Sequence, residues 1–181
     1  MLINKKPLHP NFGVIIEDID INQVSHNFLY KEIRELFENY SVILFKNQKI
    51  SDDTHINFAK LFGQLENREA MATNSDVEFE LSLVTNQKED KSVYDEYDIK
   101  TLDLKANMLW HTDSTFLPIP ALANIITAKI IPSSGGQTEL ASTRVALKKL
   151  PKDLYYNIKD KKIWHNLSHS RKQINNQLAK E

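Results

Sequence analysis

An amphipathic helix running straight into an apolar strand is the feature that most limits the folds open to this chain. Leu29, Ile33, Leu36, Phe37 and Tyr40 fall on one stripe at helical spacing, with Lys31, Glu32, Arg34, Glu35 and Glu38 outside it. That stripe needs a sheet or another helix to cover it. Ser41-Val42-Ile43-Leu44-Phe45 follows at once, short and rich in branched or aromatic side chains, and reads as a buried strand. Upstream, Gly13 to Ile21 mixes β-branched residues with period-two acids, the pattern of a strand with one wet face. After the polar turn Lys46 to Lys49, Ser51 is a good N-cap and Asp52 and Asp53 suit the positive end of a helix, while Gly63 stands where a C′ residue would. A second helix over about 52–62 follows, with Ile56, Ala59 and Phe62 facing inward.

The remainder divides in two. Residues 66–106 are polar and acidic without a sustained period, apart from an expected strand at Leu81-Ser82-Leu83-Val84, and a loop of that length in a compact domain is usually functional or moves. Strand signals return from Met108 to Phe116, from Ala121 to Ile131 and, past Gly135-Gly136, from Thr138 to Ala141. Ser142 can cap a short helix carrying Val145, Ala146 and Leu147, Pro151 can open another, and Lys162 to Leu167 reads as one more strand. No internal repeat or linker divides the chain, so residues 1–181 are expected to form a single domain.

Composition excludes several classes. Hydrophobic residues make up 41% and charged residues 26%, ordinary values for a globular domain, so disorder is not the default. A formal net charge of -1 with acids and bases interspersed gives no broad positive field for nucleic acid or an anionic membrane, and lysine-rich patches such as Lys159 to Lys162 read as solvated faces. The absence of cysteine removes disulfides and thiolate-ligated zinc, and the N-terminus lacks a signal-peptide apolar core, so a cytoplasmic location is the simplest expectation.

The chemistry concentrates in Asn107-Met108-Leu109-Trp110-His111-Thr112-Asp113-Ser114-Thr115-Phe116. Side chains two apart on a strand share a face, so an extended 108–116 would point His111 and Asp113 together while Trp110 and Thr112 point away. An imidazole and a carboxylate so placed are two of the three ligands of a facial triad, in which two histidines and one carboxylate hold Fe(II) and leave three adjacent positions open. His-x-Asp alone is weak, because a histidine on a strand is more often a hydrogen-bonded structural residue. A zinc hydrolase is disfavoured, since no His-Glu-x-x-His pattern accompanies it. A ligand-binding jelly roll in which His-x-Asp is incidental stays open.

The neighbouring blocks carry a resemblance. Trp110 to Phe116, then Pro118, Pro120 and the long apolar stretch, then Pro132-Ser133-Ser134-Gly135-Gly136-Gln137-Thr138, closely resemble the signature of the TauD/TfdA family of Fe(II)- and 2-oxoglutarate-dependent dioxygenases. The N-terminal blocks around Pro7-Leu8, Phe12-Gly13, Ile19-Asp20-Ile21, Val42 to Gln48 and Phe58 to Gly63 resemble that family's opening blocks, in the same order. The resemblance implies an α+β fold with a mainly β core, a double-stranded β-helix (jelly roll) with flanking helices. It implies His111 and Asp113 as the first two iron ligands and Thr138 as the residue that hydrogen-bonds a carboxylate of 2-oxoglutarate. It also implies Asn107 as a substrate-side residue, with Trp110 and Phe116 packing around the site. The implied activity is hydroxylation of a small organic acid coupled to decarboxylation of 2-oxoglutarate to succinate. Glu66-Asn67-Arg68-Glu69 departs from the histidine-bearing segment of taurine-specific members, so an aryloxyalkanoate or another small carboxylate is the expected substrate.

The same resemblance predicts an incomplete site. In the family the second histidine lies much farther along, followed by an arginine that pairs with the distal carboxylate of 2-oxoglutarate, and the sequence reaches Glu181 before either. His165 and His169 follow the motif, but Trp164 to Arg171 looks like a segment between the two ligand blocks in the 2,4-dichlorophenoxyacetate-type branch, where it supplies no metal ligand. The expectation is therefore a jelly roll lacking its last strands, inactive alone and prone to form homo-oligomers or to need a complementing C-terminal chain. Two alternatives accompany it: a non-catalytic remnant or partner protein that keeps the fold, and a short-triad oxygenase using His165 or His169.

Overall fold

The computed structural model describes residues 3–66 and 81–176. In chain order its elements are β1 (Lys5–Pro7), β2 (Val14–Ile16), a 3-10 turn at Ile21–Gln23, α1 (Tyr30–Tyr40), β3 (Ile43–Phe45), α2 (Asp52–Leu61), α3 (Ile99–Ala106), α4 (Thr143–Lys149), α5 (Lys152–Ile158) and α6 (Leu167–Lys172). They form two compact units, one of Met1–Leu65 with Ile125–Lys161, the other of Glu66–Asn124 with Lys162–Glu181.

The first unit is built on a three-stranded sheet in the order β1-β2-β3. β2 runs antiparallel to β1, with Lys5 opposite Ile16, and parallel to β3, with Val14 opposite Ile43. A parallel neighbour requires a crossover, and α1 is that crossover. Its apolar stripe turns Ile33 and Leu36 into a core with Ile16, Ile19, Ile21, Leu29 and Phe58, where Ile16 and Ile33 are fully excluded from water. Burial of each such side chain stabilises the fold by about 1.5–3 kcal/mol. Edge-to-face contacts of Phe58 with Phe45 of β3 (5.8 Å between ring centres) and of Phe62 with Phe37 of α1 (5.7 Å) bind α2 to this core. At Gly13, with φ +82°, a Cβ would stand 3.1 Å from the Leu8 side chain, so this turn requires glycine.

Capping chemistry placed the helices as the sequence foretold. Ser51 accepts a hydrogen bond from the Thr54 amide at the start of α2, Ser142 does the same for Val145 at the start of α4, and Pro151 precedes α5. The first strand is shorter than its pattern suggested. Asp20 accepts from the Asn22 amide and opens the 3-10 turn, and the Gln48 amide accepts from Ile21 N (2.9 Å) while donating to Ile19 O (2.8 Å). Polar side chains thus take over backbone groups that a ladder would have used. In α2 the deepest side chain is Phe58, with Ile56, Ala59 and Phe62 only half-buried.

The β-rich second half is the main correction. Among the described residues no strand forms at Leu81–Val84, 108–116, 121–131, 138–141 or 162–167, and the region expected to be loop up to residue 106 contains α3. Residues 67–80 of that region lie outside the described residues. Across 121–131 side-chain alternation survives, since Ala123, Ile125 and Thr127 are half-covered while Ile126 and Ile130 are each 74% exposed. Strand propensity is largely a property of neighbours, and no neighbouring strand is present among the described residues to complete a ladder. The segment Lys162 to Leu167 ends instead at Asn166, which caps α6 by accepting from the His169 amide. The described residues therefore show helices and one small sheet, and the double-stranded β-helix is not formed among them.

Candidate metal and substrate site

The second unit holds His111, Asp113 and Asn107. Its scaffold begins at α3, whose N-cap Asp98 accepts from the Lys100 amide and whose inner face buries Leu102 and Ala106. Asn107 caps the C-terminal end of α3, its amide donating to Asp103 O (3.3 Å) and Leu104 O (3.1 Å). The chain turns at Met108 and Leu109 and enters the His-Thr-Asp segment without strand geometry.

His111 and Asp113 nevertheless meet. Nε2 of His111 stands 3.1 Å from Oδ1 of Asp113. The other ring nitrogen, Nδ1, faces the carbonyl oxygen of Leu109 at 2.5 Å. A carbonyl only accepts, so Nδ1 donates to it, and Nε2 is the ring nitrogen left facing the carboxylate. Two electron-pair donors converge on one point that a proton or a cation must occupy. The separation fits the metal reading, because two adjacent ligands of an octahedral ion with bonds of about 2.2 Å stand about 3.1 Å apart. The second carboxylate oxygen of Asp113 accepts from the side-chain amide of Asn124, which fixes the carboxylate plane.

A turn, not a strand, makes this meeting possible. Ser114 adopts φ +60°, a left-handed conformation uncommon outside glycine, and the Leu117 amide closes the turn on Ser114 O at 2.9 Å. Ser114 is also buried, and its hydroxyl donates to the carboxylate of Glu66. Thr115 extends the support by contacting Nδ1 of His165 at 3.1 Å. Nothing in the sequence marked Ser114, Asn124 or Glu66, because their partners lie far apart along the chain and left-handed serine has no sequence signature. Trp110 departs from its expected packing role and is 69% exposed, whereas Phe116 is half-buried.

The other nominated residues are placed as follows. His165 is engaged with Thr115, and the backbone amide of His169 serves the Asn166 cap. Among the described residues no third His, Cys, Asp or Glu gathers with His111 and Asp113 into a group able to hold a metal. Arg171 spans α6 to α3, its Nε 3.0 Å from Asp103 Oδ1 and its terminal nitrogen donating to Asn107 Oδ1 at 2.9 Å. Thr138 belongs to the first unit, exposed and following the left-handed pair Gly135 and Gly136. Among the described residues no helix is long and apolar enough to cross a membrane.

Comparison with known proteins adds to this geometry. The family model described as taurine catabolism dioxygenase TauD, TfdA family, matches residues 4–181. An α-ketoglutarate-dependent 2,4-dichlorophenoxyacetate dioxygenase of Cupriavidus pinatubonensis is 33% identical over 94% of this chain and 61% of its own length. An (S)-phenoxypropionate/α-ketoglutarate dioxygenase of Sphingobium herbicidovorans is 28% identical over 94% of this chain and 56% of its own length. The crystal structure of AAD-2 in complex with Mn(II) and N-oxalylglycine superimposes with a TM-score of 0.81 at 27% identity, covering 96% of this chain and 60% of that one. The chain thus spans roughly three fifths of the length of the relatives it matches.

Proposed function

The chain belongs to the TauD/TfdA dioxygenase family, and on that premise we propose that it carries the first half of an Fe(II)- and 2-oxoglutarate-dependent active site. The observation that carries the proposal is the 3.1 Å approach of His111 Nε2 to Asp113 Oδ1, with Nδ1 turned to the Leu109 carbonyl. The substrate class proposed is a small carboxylate of the aryloxyalkanoate type, by analogy with the names of the relatives. The cofactor, when bound, supplies oxidation of a C–H bond coupled to decarboxylation of 2-oxoglutarate to succinate.

The residues have separate tasks. His111 would offer Nε2 to the metal, the Leu109 carbonyl orienting the ring by accepting from Nδ1. Asp113 brings the negative charge that favours a divalent cation over water, with its carboxylate oriented by Asn124. Thr138 donates its hydroxyl to a carboxylate of 2-oxoglutarate, and Asn107 presents its amide to the substrate. Arg171 is not the arginine for the distal carboxylate on this reading, since Asp103 already balances its charge.

Two protein ligands hold Fe(II) weakly. A third histidine and the distal arginine would come from a further segment, on the same polypeptide or on a complementing chain, together with the strands that would pair 121–131 into a jelly roll. Anaerobic Fe(II) titration tests this: weak, single-site binding that His111→Ala or Asp113→Ala abolishes is expected. Oxygen-dependent succinate formation from 2-oxoglutarate is expected only when a polypeptide equivalent to the remaining two fifths of a relative is added. Tight binding and turnover by the chain alone, lost in His165→Ala or His169→Ala, would replace this reading with the short triad. No succinate even after complementation would leave the non-catalytic alternative.

A further inference from the structure

Asn107 has an amide whose orientation is set by the chemistry of its partner. Its Oδ1 takes a hydrogen bond from the Arg171 guanidinium at 2.9 Å. Arginine has donors only, so the amide oxygen must face it and the NH2 must face away. Asp103 and Asn107 are four residues apart at the end of α3 and therefore share a helix face. The planar guanidinium reaches across both, with Nε 3.0 Å from Asp103 Oδ1. Its side chain is 19% exposed, whereas Asn107 is exposed and its Nδ2 hydrogens meet no acceptor among the described residues. Polarisation by a cation on the oxygen side strengthens the donor on the nitrogen side.

We propose that Arg171, braced by Asp103, is a positioning residue that locks Asn107 as an outward hydrogen-bond donor for an acceptor oxygen of the substrate. This rests on the reading of the site given above, in which Asn107 faces substrate. The donor lies four residues before His111, so at most about 14 Å of chain separates the two. The lock selects ligand chemistry: an anionic or ether oxygen is accepted, and a group that can only donate is not. Arg171 contributes no net charge of its own, because Asp103 compensates it, so selection acts through the direction of one amide.

Three variants of the chain separate this role from a plain tie between α3 and α6. Phenoxyacetate binding is followed by NMR, along with the Nη resonances of Arg171 and the thermal melting point. In the parent chain the Arg171 Nη hydrogens bonded to Asn107 are expected as resolved, slowly exchanging signals, lost in Asn107→Ala. Arg171→Met is expected to weaken phenoxyacetate about tenfold, the loss of one charge-assisted hydrogen bond, and Arg171→Lys is expected to restore part of it. Asn107→Asp keeps an acceptor for Arg171, so it should melt at or above the parent temperature and yet lose phenoxyacetate by tenfold or more. Unchanged affinity in Arg171→Met, or full affinity in Asn107→Asp, overturns the proposal. Should the parent chain bind no phenoxyacetate even with Mn(II), 2-oxoglutarate and the complementing polypeptide added, the substrate reading fails. The lock then stands on its spectroscopic signature and falls if the parent Nη hydrogens exchange as fast as those of Asn107→Ala.

Discussion

Replacing Ser114 separates the two physical terms that hold the His-Thr-Asp turn in shape. At φ +60° an L-residue carries a backbone cost of about 1–2 kcal/mol. Its hydroxyl offsets this by bonding a carboxylate in a buried setting, a bond worth about 1.5–3 kcal/mol. Ser114→Ala removes the bond and keeps the backbone cost, so the turn should open more readily by about 1.5–3 kcal/mol. Ser114→Gly removes the same bond but releases the backbone cost, less about 0.5–1 kcal/mol for the freer unfolded chain. The two variants should therefore differ by about 0.5–1 kcal/mol, with glycine the milder. The Leu117 amide reports the turn directly, since it bonds Ser114 O at 2.9 Å. Its hydrogen exchange should quicken in both variants, about two- to fivefold more in Ser114→Ala than in Ser114→Gly. Equal exchange in the two, or faster exchange in Ser114→Gly, would refute the claim that a left-handed backbone under tension presents Asp113 beside His111.

Other expectations follow from the same packing and ion pairs. Ile33 is fully buried in the helix-on-sheet core, so Ile33→Ala should cost about 2–5 kcal/mol in urea unfolding, against less than about 0.5 kcal/mol for a change at exposed Lys31. Two carboxylates of the first unit ionise more easily than usual: hydrogen bonds from Lys6 and Lys46 lower the pKa of Glu17, and a hydrogen bond from Lys129 lowers that of Asp52. Depressed folded-state values mean that the unfolded chain binds more protons in acid. Stability from these pairs is thus present above the ordinary carboxylate range and lost as pH falls through the lowered values. Acid titration by circular dichroism should show Lys129→Met unfolding at a higher pH than the parent, and 1 M salt should shrink the difference, because the Lys129–Asp52 pair is exposed. Asp113→Asn should leave the fold intact and reduce Mn(II) affinity at least tenfold, whereas His165→Ala should change it less than about threefold; the reverse order would move the metal site to His165.

How far the sequence could be read depended on the range of the interaction. The stripe from Leu29 to Tyr40, the serine caps at Ser51 and Ser142 and the stop at Pro151 involve partners within a few residues, and each led to a helix at the expected place. Pairing of His111 with Asp113 was also legible, though for a reason the structure corrects: an extended segment would align them, and a left-handed turn at Ser114 does. The stretches 108–116, 121–131 and 138–141 carry genuine strand composition without forming strands among the described residues. Composition fills half of a ladder, and the other half has to come from another segment.

The sequence by itself determined the helices α1, α2, α4 and α5 of the first unit and the nearness of His111 to Asp113, because helix stripes, caps and a two-residue spacing are written in neighbouring residues. Tertiary structure alone decided which ring nitrogen of His111 faces Leu109 and which faces Asp113, the grip of Asn124 on Asp113 and the bond from Ser114 to Glu66. It also set the direction of the Asn107 amide under Arg171. Each of these depends on where a lone pair or a proton points, and that is fixed only when the backbone has folded and the polar partners have met.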